Sequence, residues 1–258
     1  MSPELAHIRL YPVKSLDGQE IEAAVVLRGG GLVHDREYCL LDEAGEVLNT
    51  KRIGEPLVRI RSDVHFGFGE ITLQDGSGAV TYHLERDREE LERWFSERLG
   101  QPVRLAHDLD RGFPDDRDAS GPTLVSTETL REVGSWFGLP LDETRRRFRA
   151  NLEIEGVPAF WEDQLYGPPG ETVSFRIGEV AFEGVNTSAR CTVPSRDSHT
   201  GLIAEPTFAK IFAERRRETL PTWAEESRFD HFYRLAVNTR IPSSEAGKEL
   251  QRCDDVVL

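Results

Sequence analysis

The sequence predicts a mainly β protein with flanking helices, of the α+β class, and three observations carry that prediction. Short apolar-rich runs recur from Ile8 onward, broken by Gly, Pro and Asp, at the spacing of small barrels and sandwiches. Only three stretches, Arg88–Leu99 and residues 126–137 and 207–215, place apolar residues at helical intervals. The 258 residues carry 38% hydrophobic and 30% charged side chains, the balance of a globular chain with a sizeable core.

Taken in order, Ile8 to Tyr11 alternate as a first strand that Pro12 interrupts, and residues 20–27 read as a second. Gly29, Gly30 and Gly31 make a turn. Residues 38–42 read as a third strand, which Glu43-Ala44-Gly45 turns back into Val47 and Leu48. Residues 57–61 and 70–73 continue the β pattern. Arg88–Leu99 then sets Leu91, Trp94, Phe95 and Leu99 on one helical face, with Gly100 as its C-terminal stop. Residues 108–122, rich in Asp, Arg, Gly and Pro, read as a loop and divide the chain into residues 1–115 and 116–258. Ser126 or Thr127 caps the second helix, whose apolar stripe is Leu130, Val133, Trp136 and Phe137. Residues 152–154 form a strand, 173–178 and the run from Val180 a hairpin, and 207–215 a helix. Residues 232–238 and 254–258 close the chain as strands.

The net charge of −14 argues against nucleic acid or anionic membranes as partners, because both are bound through basic surface. No apolar run approaches the ~20 residues of a membrane helix, and the N-terminus lacks a basic flank and apolar core for secretion, so a cytoplasmic monomer is expected. Cys39, Cys191 and Cys253 are far apart and form no C-x-x-C pair, which excludes a four-cysteine zinc or iron–sulfur site within this chain.

Cys191 stands where a strand-like run gives way to a loop marked by Pro194 and a polar stretch, and the adjacent Arg190 favours the thiolate that attacks electrophiles and binds soft metals. A buried structural cysteine is the alternative. Lys14, Arg36, Lys51-Arg52, the run 145–149 and Arg190 are basic residues beside turn backbone or hydroxyls, the donors a phosphate needs. Each alone reads equally as solvated charge, and Arg145 is expected at the exposed start of its run. Glu162-Asp163 follows Phe160-Trp161 and reads either as a half-buried pair for an arginine or as a turn. His199 lies in a loop and is not read as a metal ligand. Gly29-Gly30-Gly31 matches no nucleotide fingerprint, and no G-x-S-x-G or H-E-x-x-H is present.

Tyr11-Pro12-Val13-Lys14-Ser15-Leu16, then Gly31 with Asp35-Arg36, resembles the N-terminal β-barrel module that precedes a MOSC domain. Arg147-Phe148-Arg149-Ala150-Asn151, Phe160-Trp161-Glu162-Asp163, Ile177-Gly178, Arg190-Cys191 with Val193-Pro194, and Thr200-Gly201 resemble the MOSC domain itself, in the group of the mitochondrial amidoxime-reducing component and the bacterial YcbX proteins. The resemblance implies a barrel-like N-terminal module packed on a MOSC β-barrel. It implies a molybdenum–pyranopterin cofactor (Moco), and not pyridoxal phosphate, in the cleft between them. Cys191 would be the metal ligand and, with Asp163, the catalytic pair. Lys14, Ser15, Arg36, Ser126, Arg149, Asn151, Ser188 and Arg190 match cofactor-binding positions. The implied activity is reduction of small N-oxygenated substrates such as amidoximes, hydroxylamines and N-hydroxylated bases. Electrons are expected from a separate ferredoxin- or cytochrome-type protein, because this chain ends without a ferredoxin module. Cys253 stands where the family has a turn glycine and reads as structural. The rival reading is a non-catalytic carrier that hands on sulfur or cofactor from Cys191, and a third is a cofactor-free binding module.

Overall fold

An eight-stranded sheet draws on both ends of the chain in the computed structural model, which describes residues 2–116 and 118–258. In chain order the strands are β1 (Glu4–Leu10), β2 (Gln19–Ile21), β3 (Ala23–Val25), β4 (Tyr38–Leu41), β5 (Arg61–His65), β6 (Glu70–Asp75), β7 (Gly78–His83), β8 (Arg104–His107), β9 (Leu124–Ser126), β10 (Leu152–Glu155), β11 (Val173–Ile177), β12 (Val180–Ala189), β13 (Arg234–Arg240), β14 (Glu249–Gln251) and β15 (Val256–Val257). The helices are α1 (Thr50–Ile53), α2 (Glu55–Val58), α3 (Arg88–Leu99), α4 (Thr127–Phe137), α5 (Leu141–Phe148) and α6 (Phe208–Glu218). The fold is therefore mostly β with flanking helices, the class expected.

The large sheet runs β15-β11-β12-β13-β9-β10-β1-β2. All its pairings are antiparallel except β9 with β10. Its core joins Leu5, Ile8 and Leu10 of β1 to Leu124, Leu152, Phe175, Phe182 and Val237. A second core, from Val13 to Leu105, fills the space under the three-stranded β5-β6-β7 sheet, the β4-β8 pair and α3. A third packs α4 and α6 over the large sheet through Leu130, Val133, Phe208 and Phe212. The first strand of the chain thus completes the sheet of the second half, while the 13–105 segment keeps its own core beside it.

Local chemistry sets several elements as the sequence indicates. Ser126 caps α4 by accepting from the Thr129 amide at 3.1 Å, and Gly100 and Gly138 end α3 and α4 in the left-handed conformation that glycine tolerates. Residues 43–45 turn β4 back so that the Leu48 amide donates to the Leu40 carbonyl at 2.8 Å.

Two local expectations are corrected and one element is added. The single strand over 20–27 is two strands with different partners: β2 pairs with β1, whereas β3 pairs with β14. Alternation of side chains records a buried face but not which strand lies alongside. Of residues 57–61 only Arg61, which opens β5, is strand: 55–58 form the short helix α2, with Pro56 in its first turn, where its missing N–H costs no hydrogen bond. The arginine run, left without an element in the sequence, is the last turn and C-cap of α5, with Arg146 exposed, Arg145 half-buried and Arg147 buried beside Thr144 and Phe148.

Candidate functional site

Several cation-bearing elements meet at the seam between the 13–105 segment and the large sheet. After β1 the chain turns at Ser15 and returns through His34 and Arg36. All three adopt a positive φ (73°, 68° and 52°), and Arg149, which ends α5, does the same at 54°. Non-glycine residues rarely hold this conformation and need surrounding structure to enforce it. Four of the seven such residues among those described fall in this one region, which marks it as a place where side-chain direction matters more than backbone ease.

Tyr11 is the pivot. Its ring carries the Arg149 guanidinium at 4.1 Å and that of Arg36 at 5.1 Å, and its hydroxyl donates to the Ala150 carbonyl at 3.3 Å. Gly18 leaves room for that ring, since a Cβ there would lie 2.4 Å from it. Arg149 donates to the Leu16 carbonyl at 2.7 Å. Arg36 pairs with Asp35 and donates to Asn151 Oδ1 at 3.1 Å. Asn151 is buried and fully used: its Oδ1 also accepts from Thr123, and its Nδ2 donates to the Arg9 carbonyl at 2.9 Å. It therefore orients Arg36 and ties three segments together. Lys14 extends its Nζ to the Phe113 carbonyl at 2.8 Å and to Asp115 at 2.5 Å.

Cys191 lies two residues beyond β12, exposed to solvent, and precedes the 3-10 turn Val193–Ser195. Pairing of β12 with β13 sets Ala189 opposite Arg234, so the Arg190 amide donates to the Tyr233 carbonyl at 3.0 Å. The Arg190 side chain donates to the Phe148 carbonyl at 2.6 Å and reaches Ser188 Oγ at 3.4 Å. Its Nε and the Tyr233 hydroxyl are buried without hydrogen-bond partners among the described residues. Burial followed by the nearby Arg190 charge and the Cys191 thiol sets the Tyr233 hydroxyl, with a net upward shift.

The charges here are not balanced evenly. Burial lowers the pKa of Arg149, Arg36 lowers it further, and Tyr11, Asp17 and Asp115 only partly oppose this. Burial likewise lowers Arg190 against help from Cys191, Tyr233 and Asp115. For Arg36, burial is outweighed by Asp35 and Asp115. Two half-buried guanidiniums thus remain short of negative charge, and an anion placed beside them would relieve that deficit. A cleft of about 520 Å³ opens next to Arg149 and Ser15, and Arg61, Arg146, Arg196 and His199 also line it. That volume suits a ligand of cofactor or drug size.

The structure thus brings Lys14, Ser15, Arg36, Arg149 and Asn151 into one region, which electrostatic contact links to Arg190, Ser188 and Cys191. It leaves two expected residues outside. Ser126 is fully buried and spends its hydroxyl capping α4. Asp163 is 2% exposed, pairs with the buried Arg216 and accepts from the Tyr166 hydroxyl at 3.0 Å. Neither lines the cleft, where only Ser15 and Arg149 of the expected residues stand; Ser126 and Asp163 are also sealed inside the fold. Arg145, expected to be exposed, instead holds Glu153 through two hydrogen bonds of 2.8 and 2.7 Å. Tyr233 and Asp115 were not singled out from the sequence; the register of β13 on β12 finds the first, and the fold of residues 112–115 over Lys14 finds the second. Cys39 is buried and its thiol is pushed up to about 11 by burial, so it is inert.

The MOSC N-terminal beta barrel domain matches residues 2–85, and the MOSC domain matches residues 117–243. The chain belongs to the MOSC-domain family. Together the two matches cover the segment carrying Lys14 and Arg36 and the segment carrying Arg149 and Cys191. Proteins described as molybdenum cofactor sulfurase resemble this MOSC chain in sequence. One from Drosophila grimshawi is 28% identical over 82% of the chain and 30% of its own length. One from rice is 27% identical over 83% of the chain and 31% of its own length, and one from Drosophila melanogaster 27% identical over 100% and 35%. The chain therefore spans about a third of the length of these relatives. A solved structure, the YuaD protein of Bacillus subtilis, aligns over 99% of this chain and 94% of its own at a TM-score of 0.42 and 14% identity, too distant to bear on the site. No helix among the described residues is long and apolar enough to cross a membrane.

Proposed function

We propose that this MOSC-domain protein binds the molybdenum cofactor through Cys191 and reduces small N-oxygenated substrates with electrons from a separate donor protein. The observation that carries the reading is the deficit of negative charge at Arg149 and Arg190 beside an exposed thiol, with Arg190 Nε and the Tyr233 hydroxyl left unpartnered. These groups fit a ligand that brings a phosphate, polar ring edges and a thiophilic metal together. Among the described residues no three His, Cys, Asp or Glu side chains are arranged to hold a metal, so a metal at Cys191 would take its remaining ligands from the organic part of the cofactor.

In this reading Lys14, Arg36 and Arg149 hold the phosphate, with Ser15 beside them, and Asn151 acts through Arg36. Ser188 positions Arg190, whose free Nε and the Tyr233 hydroxyl donate to the polar edge of the ligand. The Cys191 thiolate is the protein's ligand to the metal. When bound, the cofactor supplies two-electron oxygen-atom chemistry, so an N–O substrate is converted to the reduced nitrogen compound and water with two electrons and two protons. The chain's own part is to fix the ligand between its two halves and keep the Cys191 face open to substrate and donor. The buried Asp163 takes no part in this scheme.

A second reading is favoured by the names of the relatives: Cys191, being exposed, could pass sulfur or cofactor to another protein. Turnover separates the two. Chain made in a host that synthesises the cofactor should carry molybdenum, Cys191→Ala should lose most of it, and Cys39→Ala and Cys253→Ala should keep it. NADH alone should drive no reduction of a hydroxylamine, whereas a reduced dye, or a ferredoxin- or cytochrome-type donor with its reductase, should. Equal molybdenum in wild type and Cys191→Ala would sink the ligand assignment. Full molybdenum without dye-driven turnover would favour the carrier.

A further inference from the structure

The loop that joins the two halves does more than connect them. Gly112, with φ of 60°, packs so closely on the preceding turn that a Cβ there would lie 2.9 Å from the Arg36 carbonyl oxygen and 3.1 Å from that of Asp35. The Phe113 amide donates to the Arg36 carbonyl at 2.8 Å, and the Phe113 carbonyl accepts from Lys14 Nζ at 2.8 Å. Residues 112 and 113 are thereby strapped onto the two cations that the N-terminal half contributes to the seam. Two residues later, the Asp115 carboxylate meets Lys14 Nζ at 2.5 Å while its own side chain stays 78% exposed. It sits at a mouth open to solvent and not in a sealed core.

Asp115 touches Lys14 alone among these cations, but its charge acts on the rest of the cluster. Partial desolvation raises its pKa, but Arg36, Lys14 and Arg149 outweigh that and hold its carboxyl below the usual carboxylate value. Its charge is felt in turn by Arg36, Arg149 and Arg190. Arg36 has a second carboxylate, Asp35, whereas Lys14 has no other acidic partner among the described residues. An exposed aspartate gains little from an ordinary surface pair. Here it lies where a bound anion would be drawn by the same charges.

We infer that Asp115 is the built-in occupant of an anion subsite formed by Lys14, Arg36 and Arg149, and that an anionic ligand enters by displacing it. This rests on the proposed cofactor reading only for the identity of the natural anion, a phosphate monoester; the competition applies to any small tetrahedral oxyanion. The physical consequence is a tax on binding. If the strapped state accounts for about nine molecules in ten, the apparent affinity for the anion is about tenfold weaker than that of the open subsite. The same strap holds Lys14 in place before the ligand arrives and offsets part of the mutual repulsion of the cations.

The test uses the full chain made in a host without the cofactor, with inorganic phosphate as probe and titration calorimetry as readout. Asp115→Asn should bind phosphate about tenfold more tightly than wild type. Asp110→Asn, on the same loop and with the same change in net charge, should match wild type, and Lys14→Met should lose most of the binding. An Asp115→Asn affinity no better than that of Asp110→Asn overturns the inference, as does an absence of phosphate binding in every variant. Should Asp115→Asn fail to fold, hydrogen exchange of wild type decides: phosphate should deprotect the Phe113 amide, and unchanged protection overturns the displacement. The two readings fail separately. Tighter phosphate binding in a chain that never acquires molybdenum keeps the strap and removes the cofactor; a molybdenum-loaded chain without tightening does the reverse.

Discussion

Two charged clusters lie in this protein, and they are built in opposite ways. At the seam, Lys14, Arg36, Arg149 and Arg190 gather near an exposed thiol, a cleft of about 520 Å³ opens beside Arg149, and Arg190 Nε and the Tyr233 hydroxyl have no partner among the described residues. Beneath α4, Glu162, Asp163 and Arg216 are sealed: the Arg216 guanidinium lies 4.2 Å from the Phe160 ring and 5.0 Å from that of Phe229, and its charge is met by Asp163. Both clusters contain buried polar atoms without partners among the described residues, Arg190 Nε in one and Arg216 Nε and Nη1 in the other. The difference is access. The seam lacks negative charge that a ligand can bring, whereas the sealed cluster carries its own and has no route for one. Perturbed ionisation alone does not mark chemistry; perturbed ionisation facing a cleft does.

The largest expected effect tests the sealed cluster. Asp163→Ala leaves the Arg216 charge buried without its partner and should cost about 3–5 kcal/mol of stability, read from denaturant unfolding. Cofactor bound per folded molecule should be unchanged. A stable Asp163→Ala chain that loses its cofactor would erase the contrast and return Asp163 to the site.

Glu162 sharpens the same side by its pH dependence. Burial, and then the neighbouring Asp163, push its carboxyl up from 4.5 to about 7. A carboxyl raised on folding favours the protonated form, so its contribution to stability is complete below about pH 4.5 and is lost as pH rises through about 7. The loss amounts to about 3 kcal/mol at 1.36 kcal/mol per unit. Glu162→Gln should therefore gain stability relative to wild type as pH climbs from 4.5 to 8. A constant difference across that range would show that Glu162 does not titrate there.

On the seam side, Arg149→Ala removes a charge-assisted contact to the ligand and should cost about 1.5–3 kcal/mol, a tenfold to hundredfold loss in retained pterin after dialysis. Arg149→Lys should recover little, since an ammonium cannot reproduce the planar fork or its stack on Tyr11. Arg131, exposed on α4, is the control, because Arg145 holds Glu153 and its loss would disturb the fold. Equal pterin in Arg149→Ala and Arg131→Ala would reduce the seam to surface charge.

The smallest effect concerns neither cluster and sets the scale for both. Cys253 is exposed and holds a φ of 69°, a conformation glycine adopts without strain. Cys253→Gly should raise stability by about 0.5–1 kcal/mol in thermal unfolding while leaving molybdenum content alone. A destabilised variant would show that the thiol packs usefully at that turn.

The sequence by itself determined the fold class, the helices α3, α4 and α6, the hairpin of β11 and β12, and the irregular stretch after β8, because periodicity, caps and turn residues act within a few positions. It also marked Cys191, Lys14, Arg36 and Arg149, whose motifs are short and ordered. Only the tertiary structure decided that β1 completes the sheet of the other half and that residues 20–27 divide between two partners, since pairing depends on strands far away in sequence. The same holds for chemistry. Glu162-Asp163 and Arg149 read alike as charged residues next to aromatics. What separates them is which face of the fold each one meets, through α6 supplying Arg216 to one and Tyr11 with the 112–115 strap framing the other. Burial and the approach of a distant charge are sums over contacts that no local window contains.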